Sequence, residues 1–171
     1  MVPVADRSRL RAALENTNGS VTEFLEHLVG ESIDARAHHH HVIVAPASNG
    51  LNAPEGEPLL QRAATLCGRT SGSAYVYAES LIVTNRLPTR FCHRLESSID
   101  PIGRILNEMG IAVTRTNLVE PDALTVSRPA GDAMARDYLL ARTYCIESKR
   151  TPLMVVTEWF LKTLSPFLVS A

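Results

Sequence analysis

Apolar positions along the chain fall into two periods. Leu10, Ala13 and Leu14 recur at helical spacing within residues 5–16, and Thr17-Asn18-Gly19 then supplies a turn. Val21, Phe24, Leu25, Leu28 and Val29 repeat the i, i+3, i+4, i+7, i+8 pattern, so a second amphipathic helix follows. Ser20 with Glu23 forms a capping box at its start, and Gly30 stops it. From residue 33 the period changes. Residues 33–46 end in β-branched residues before a proline and predict a strand, and 47–58, rich in Gly, Pro and Asn, predict a surface loop. Residues 59–83 predict a hairpin turning at 69–73. Pro88, and Asp100 with Pro101, each predict a short helix with proline at its first position. A strand is expected over 111–119, an irregular crossing over 120–133, and a closing hairpin whose strands, 136–147 and 151–161, flank the turn at Ser148–Thr151. Five or six strands joined mostly by tight turns, with helices grouped in two places, predict an α+β fold around an antiparallel sheet.

Three charges interrupt this pattern. Alternation places Met154, Val156, Glu158 and Phe160 on one face of the last strand, so Glu158 shares a face with apolar residues. Desolvation there is expected to raise its pKa. Arg62 in Pro58–Leu66 and Glu79 in Tyr75–Val83 are charges set among strand formers in the same way. An ion pair of Arg62 with Glu79 or Glu158 accounts for them structurally; a carboxylated ligand gripped by the guanidinium fork accounts for them functionally. His38 to His41 invite a metal reading, but alternate strand residues face opposite ways and at most two converge, fewer than a zinc site needs. A polar strand edge is the expectation, with no metal site.

Composition narrows the function. At 171 residues and 45% hydrophobic, the chain suits one domain over 1–171 with one core. Seventeen basic and 18 acidic residues, net charge −1, leave no electrostatic footprint for nucleic acid. Cys67, Cys92 and Cys145 form no CxxC pair, and no run of apolar residues is long enough for a signal or membrane segment, so reduced thiols in a soluble cytoplasmic protein are expected. Neither a phosphate-binding glycine loop nor a nucleophile elbow is present. Arginine and carboxylate in a small pocket fit a small carboxylated partner.

Five segments in order, 18–31, 59–69, 76–88, 100–106 and 142–161, resemble the chorismate pyruvate-lyases, specifically their actinobacterial branch. The resemblance implies an antiparallel sheet of about six strands with helices on one side, and elimination of pyruvate from chorismate to give 4-hydroxybenzoate with no cofactor. It implies that Arg62 grips the ring carboxylate, that the backbone amides of Val21 and Ile102 assist, and that Glu158 acts at the far end of the pocket. A second cation, Arg142 or Arg104, would hold the enolpyruvyl carboxylate. Enterobacterial members carry a second pocket arginine where this chain has Glu79, which the resemblance therefore puts in the pocket. Other readings of the same fold are a cyclase or isomerase of specialised metabolism, and a non-catalytic module binding a carboxylated ligand.

Overall fold

The computed structural model describes residues 4–15, 19–119 and 138–169. Helices α1 (Val4–Glu15) and α2 (Val21–Val29) lead into strands β1 (Ile33–Val44), β2 (Pro58–Gly68) and β3 (Ala74–Ile82). Helices α3 (Thr89–Ser97) and α4 (Ile102–Glu108) precede β4 (Thr114–Val119), β5 (Tyr138–Ser148) and β6 (Thr151–Leu161). The strands pair antiparallel in one sheet, ordered β1-β2-β3-β6-β5-β4. This is the predicted α+β architecture; the crossing expected over 120–133 lies outside the described residues.

Local chemistry explains the helix starts that matter for function. In α2 the Ser20 hydroxyl accepts from the Glu23 amide at 3.2 Å while the Glu23 carboxylate accepts from the Ser20 amide at 2.8 Å. Such a cap contributes about 1 kcal/mol. Helices α3 and α4 start one residue later than expected, because Pro88 and Pro101 are extended and occupy the cap position rather than the first turn. Asp100 does not cap α4 either. Its carboxylate is drawn aside by Arg94 at 2.7 Å and Arg104 at 3.5 Å, so no side chain covers the first amides of α4.

Two regions depart from the pattern for packing reasons, and the chain after the last strand extends it. Strand β4 begins at Thr114 rather than at 111, since Ile111 and Val113 pack against the α3–α4 cluster. The last strand ends at Leu161, and a 3-10 segment, Lys162–Val169, turns Leu164 and Leu168 into the core beside α1. The loop after β1 is not wholly on the surface: Leu51 and Ala53 are buried against Cys145 and Val155, and the Asn49 side chain knits the loop by donating to the Pro46 and Ala53 carbonyls.

All four helices pack on one face of the sheet, as expected, but at its two ends. Helices α1 and α2 cover Leu66, Val76, Leu140 and Phe160, while α3 and α4 cover Leu60, Ile82, Ile146 and Met154. Antiparallel partners share a face. Between the two apolar ends run two cross-strand rows, Arg62-Ser80-Val156-Tyr144 and Ala64-Ala78-Glu158-Arg142. Polar and charged residues thus lie under the gap between the helix pairs.

Candidate functional site

That gap is an open cavity, with about 490 Å³ of space between its walls, part of it continuous with solvent. The starts of α2 and α4 form its roof with Ser20, Val21, Ile102 and Gly103, and the sheet forms its floor with Arg62, Ser80, Tyr144 and Glu158. Gly103 is required by the roof: a β-carbon there would stand 2.7 Å from the Ser20 β-carbon, so only glycine lets the two helix starts abut. Four early amides follow from this arrangement. The capping box uses those of Ser20 and Glu23, leaving Val21 and Thr22 with no intrahelical partner, and the start of α4 leaves Ile102 and Gly103 in the same condition. Backbone donors at helix starts favour an anion.

Arg62 is 3% exposed, and its Nε and Nη2 have no hydrogen-bond partner among the described residues. Burial pushes its pKa below the usual arginine value, although a guanidinium stays charged at any ordinary pH. Neither acid expected as its partner pairs with it. A buried cation with unmet donors is costly to the empty protein and suited to an incoming carboxylate.

Glu158, also 3% exposed, has a donor at each carboxylate oxygen. Oε2 accepts from Arg142 Nε at 2.8 Å and Oε1 accepts from the Tyr144 hydroxyl at 2.7 Å. Arg142 lies between two rings, 5.1 Å from the Tyr144 centroid and 5.3 Å from that of Phe160. The expectation of a carboxyl group left to apolar neighbours is therefore corrected, because the row that contains Glu158 also brings in Arg142. Burial, and then the Glu158 charge, raise the pKa of the Tyr144 hydroxyl, so it remains a donor.

The other expected site residues are placed differently. Glu79 faces the opposite side of the sheet, in register with Ala63 and Thr157; Ser80 is the residue beside Arg62. The Glu79 Oε1 accepts from the Tyr77 hydroxyl at 3.0 Å, its Oε2 is unpartnered among the described residues, and burial raises its pKa. Glu79 is not a cavity residue. Arg104 is held by Glu26 at 2.5 Å, the Ile33 carbonyl at 2.9 Å and Asp100 at 3.5 Å, and does not line the cavity. Arg142 lines a recess next to the cavity. Tyr144, Gly103 and Arg115 are cavity residues that the pattern left unassigned. Tyr144 was accessible, since it lies two residues from Arg142 on the same face of β5, but Arg115 needed the β4–β5 pairing across a long connection.

The histidine run behaves as a polar edge. His39 and His41 share a face with ring centroids 6.4 Å apart, His38 Nε2 meets Thr65 Oγ1 at 2.6 Å, and His40 lies 3.5 Å from Glu96. Among the described residues no three His, Cys, Asp or Glu side chains gather as metal ligands, and no helix is long and apolar enough to cross a membrane. All three cysteines are free.

Comparison with known proteins bears on this geometry. A family model described as chorismate pyruvate-lyase Rv2949c-like matches residues 16–168. The chorismate pyruvate-lyase of Mycobacterium tuberculosis (strain H37Rv) is 35% identical over 111 residues, 62% of this chain and 54% of that protein. The chain therefore spans about half the length of that relative. The chorismate pyruvate-lyase of Mycobacterium leprae is 31% identical over 159 residues, 86% of this chain and 72% of that protein. Among solved structures, the effector domain of PhnF from Mycobacterium smegmatis superposes with a TM-score of 0.53 at 18% identity, covering 85% of this chain and 90% of its own. A GntR-family transcriptional regulator from Bacillus cereus gives a TM-score of 0.50 at 11% identity, covering 77% and 92%. At these identities the two structures share the fold alone. The family match takes in both helix starts of the roof and every strand of the floor, and on that match the chain belongs to the chorismate pyruvate-lyase family.

Proposed function

We propose that the chain eliminates pyruvate from chorismate and releases 4-hydroxybenzoate. One observation carries the reading: a buried Arg62 with two unpartnered donors shares a cavity with a Glu158 already supplied with its own cation. Arg62 takes the ring carboxylate, helped by the Val21 and Ile102 amides at the roof. The charge-assisted fork fixes the plane of the ring. Glu158, oriented by Arg142 and Tyr144, accepts a hydrogen bond from the ring hydroxyl at the other end.

The reaction is redox-neutral. The bond from the ring carbon to the ether oxygen breaks, the neighbouring ring carbon that bears the hydroxyl gives up its hydrogen as a proton, and the ring becomes aromatic. The departing enolpyruvyl oxygen leaves as the enol of pyruvate, which becomes the ketone by proton transfer. Aromatisation supplies the driving force, so the protein's task is to position the ring and to stabilise developing charge. The test is incubation with chorismate, with pyruvate followed by a coupled reductase and the ring product by chromatography. Equal amounts of pyruvate and 4-hydroxybenzoate are expected. Release no faster than without protein sinks the reading, and chorismate bound tightly but recovered unchanged would point to a binding module.

A further inference from the structure

A recess of about 250 Å³ adjoins the main cavity and shares Ser20, Val21 and Arg115 with it. Its other walls are Leu14, Gly19, Phe24 and Arg142, so among the described residues two guanidinium groups and a helix start face it and no carboxylate does. The helix start adds partial positive charge to that of the cations. Arg142 is already committed to Glu158. Arg115 is not: it is exposed, no carboxylate pairs with it among the described residues, and its guanidinium lies 5.7 Å from the centroid of the Tyr144 ring. Register opposite Ile146 sets it on the cavity face of β4. Strand order puts β2 and β4 on either side of β3, β6 and β5, so Arg62 and Arg115 flank Glu158 from opposite sides.

We infer that Arg115 selects for a second carboxylate, receiving the acidic arm of the ligand where the recess meets the cavity while Arg62 holds the carboxylate on the ring. The inference rests on the reading that this site takes chorismate, whose two carboxylates sit on the ring and on the ether-linked arm. Arg62 is sealed in and serves the part that stays as the ring product; Arg115 is in contact with water and serves the part that leaves. Its stacking on Tyr144, the residue whose hydroxyl holds Glu158, sets the arm beside the end of the ring where the bond breaks.

Two inert probes test this apart from catalysis: 4-hydroxybenzoate, with one carboxylate, and 3-(carboxymethoxy)-4-hydroxybenzoate, which keeps the hydroxyl and adds a second carboxylate through an ether on the neighbouring ring carbon. Titration calorimetry of the wild-type chain is expected to show the dicarboxylate bound about tenfold more tightly, the scale of one charge-assisted contact at a wet rim. Arg115→Gln should remove that preference while leaving 4-hydroxybenzoate affinity unchanged, and Arg115→Lys should restore part of it. Loss of both affinities together in Arg115→Gln, persistence of the preference in that variant, or a wild-type chain that binds neither probe or shows no preference overturns the inference. With chorismate, Arg115→Gln should raise KM about tenfold and leave kcat within about threefold. A wild-type chain that prefers the dicarboxylate through Arg115 yet releases no pyruvate would sustain this assignment and sink the proposed reaction, so the two fail separately.

Discussion

Glu158 and Glu79 are both buried acids in central strands, 3% and 7% exposed, and they lie on opposite faces of one sheet. Glu158 has a guanidinium and a phenol as donors and lines the cavity; Glu79 has, among the described residues, a phenol alone and an unpartnered oxygen, and does not line that cavity. The difference lies in what the cross-strand row brings alongside. On the helix-covered face the row contains Arg142, so Glu158 has a guanidinium beside it. On the other face the row through Glu79 contains Ala63 and Thr157, and burial drives the group toward its neutral form. Burial of an acid is thus no mark of function until its row and its face are known.

Removing Arg142 should make Glu158 resemble Glu79, and at the highest cost. Arg142→Ala leaves a buried carboxylate without its cation and is expected to lower stability by about 3 kcal/mol, read from the urea midpoint at constant slope. Arg62→Met acts on the same face with the opposite balance. Affinity for 4-hydroxybenzoate should fall about 100-fold, near 2.7 kcal/mol, while thermal stability stays level or rises because two unmet donors leave the interior. A large loss of stability in that variant would mean that Arg62 has a structural partner.

Glu79→Gln should have the smallest effect, a stability gain of about 1 kcal/mol at neutral pH with ligand affinity unchanged. The sign follows from linkage. An unfolded glutamate ionises near ~4.3, whereas the buried group holds its proton to higher pH, so wild-type stability falls as pH rises from about 4 through the folded pKa. The gain should therefore vanish below about pH 4, and unfolding curves across that range check it. A gain of the same size at acid pH would assign it to packing instead.

Much of the fold was legible because period and caps agree. The α2 capping box, the turn at 69–73 and the closing hairpin each carry a local signal, and the structure has them where the pattern places them. The site was legible residue by residue but not in its pairings. Alternation put Glu158 on the apolar face, yet the choice of partner between Arg62 and Arg142 depends on which strands are neighbours, a property of topology. Glu79 was misplaced because the resemblance carried a pocket position onto it, whereas the pairing sets Ser80 next to Arg62 and turns Glu79 to the other face. Arg104 looked available because its partners, Glu26 and the Ile33 carbonyl, lie more than 70 residues away in the chain.

The most direct test sets the two acids side by side in pyruvate release from chorismate. Glu79→Gln should turn over at the wild-type rate, and Glu158→Gln should lose about 100-fold in kcat with little change in KM, the scale of a group acting at the reacting end of the ring. Full activity in Glu158→Gln, or equal losses in both variants, would contradict the assignment of the chemistry to the helix-covered face.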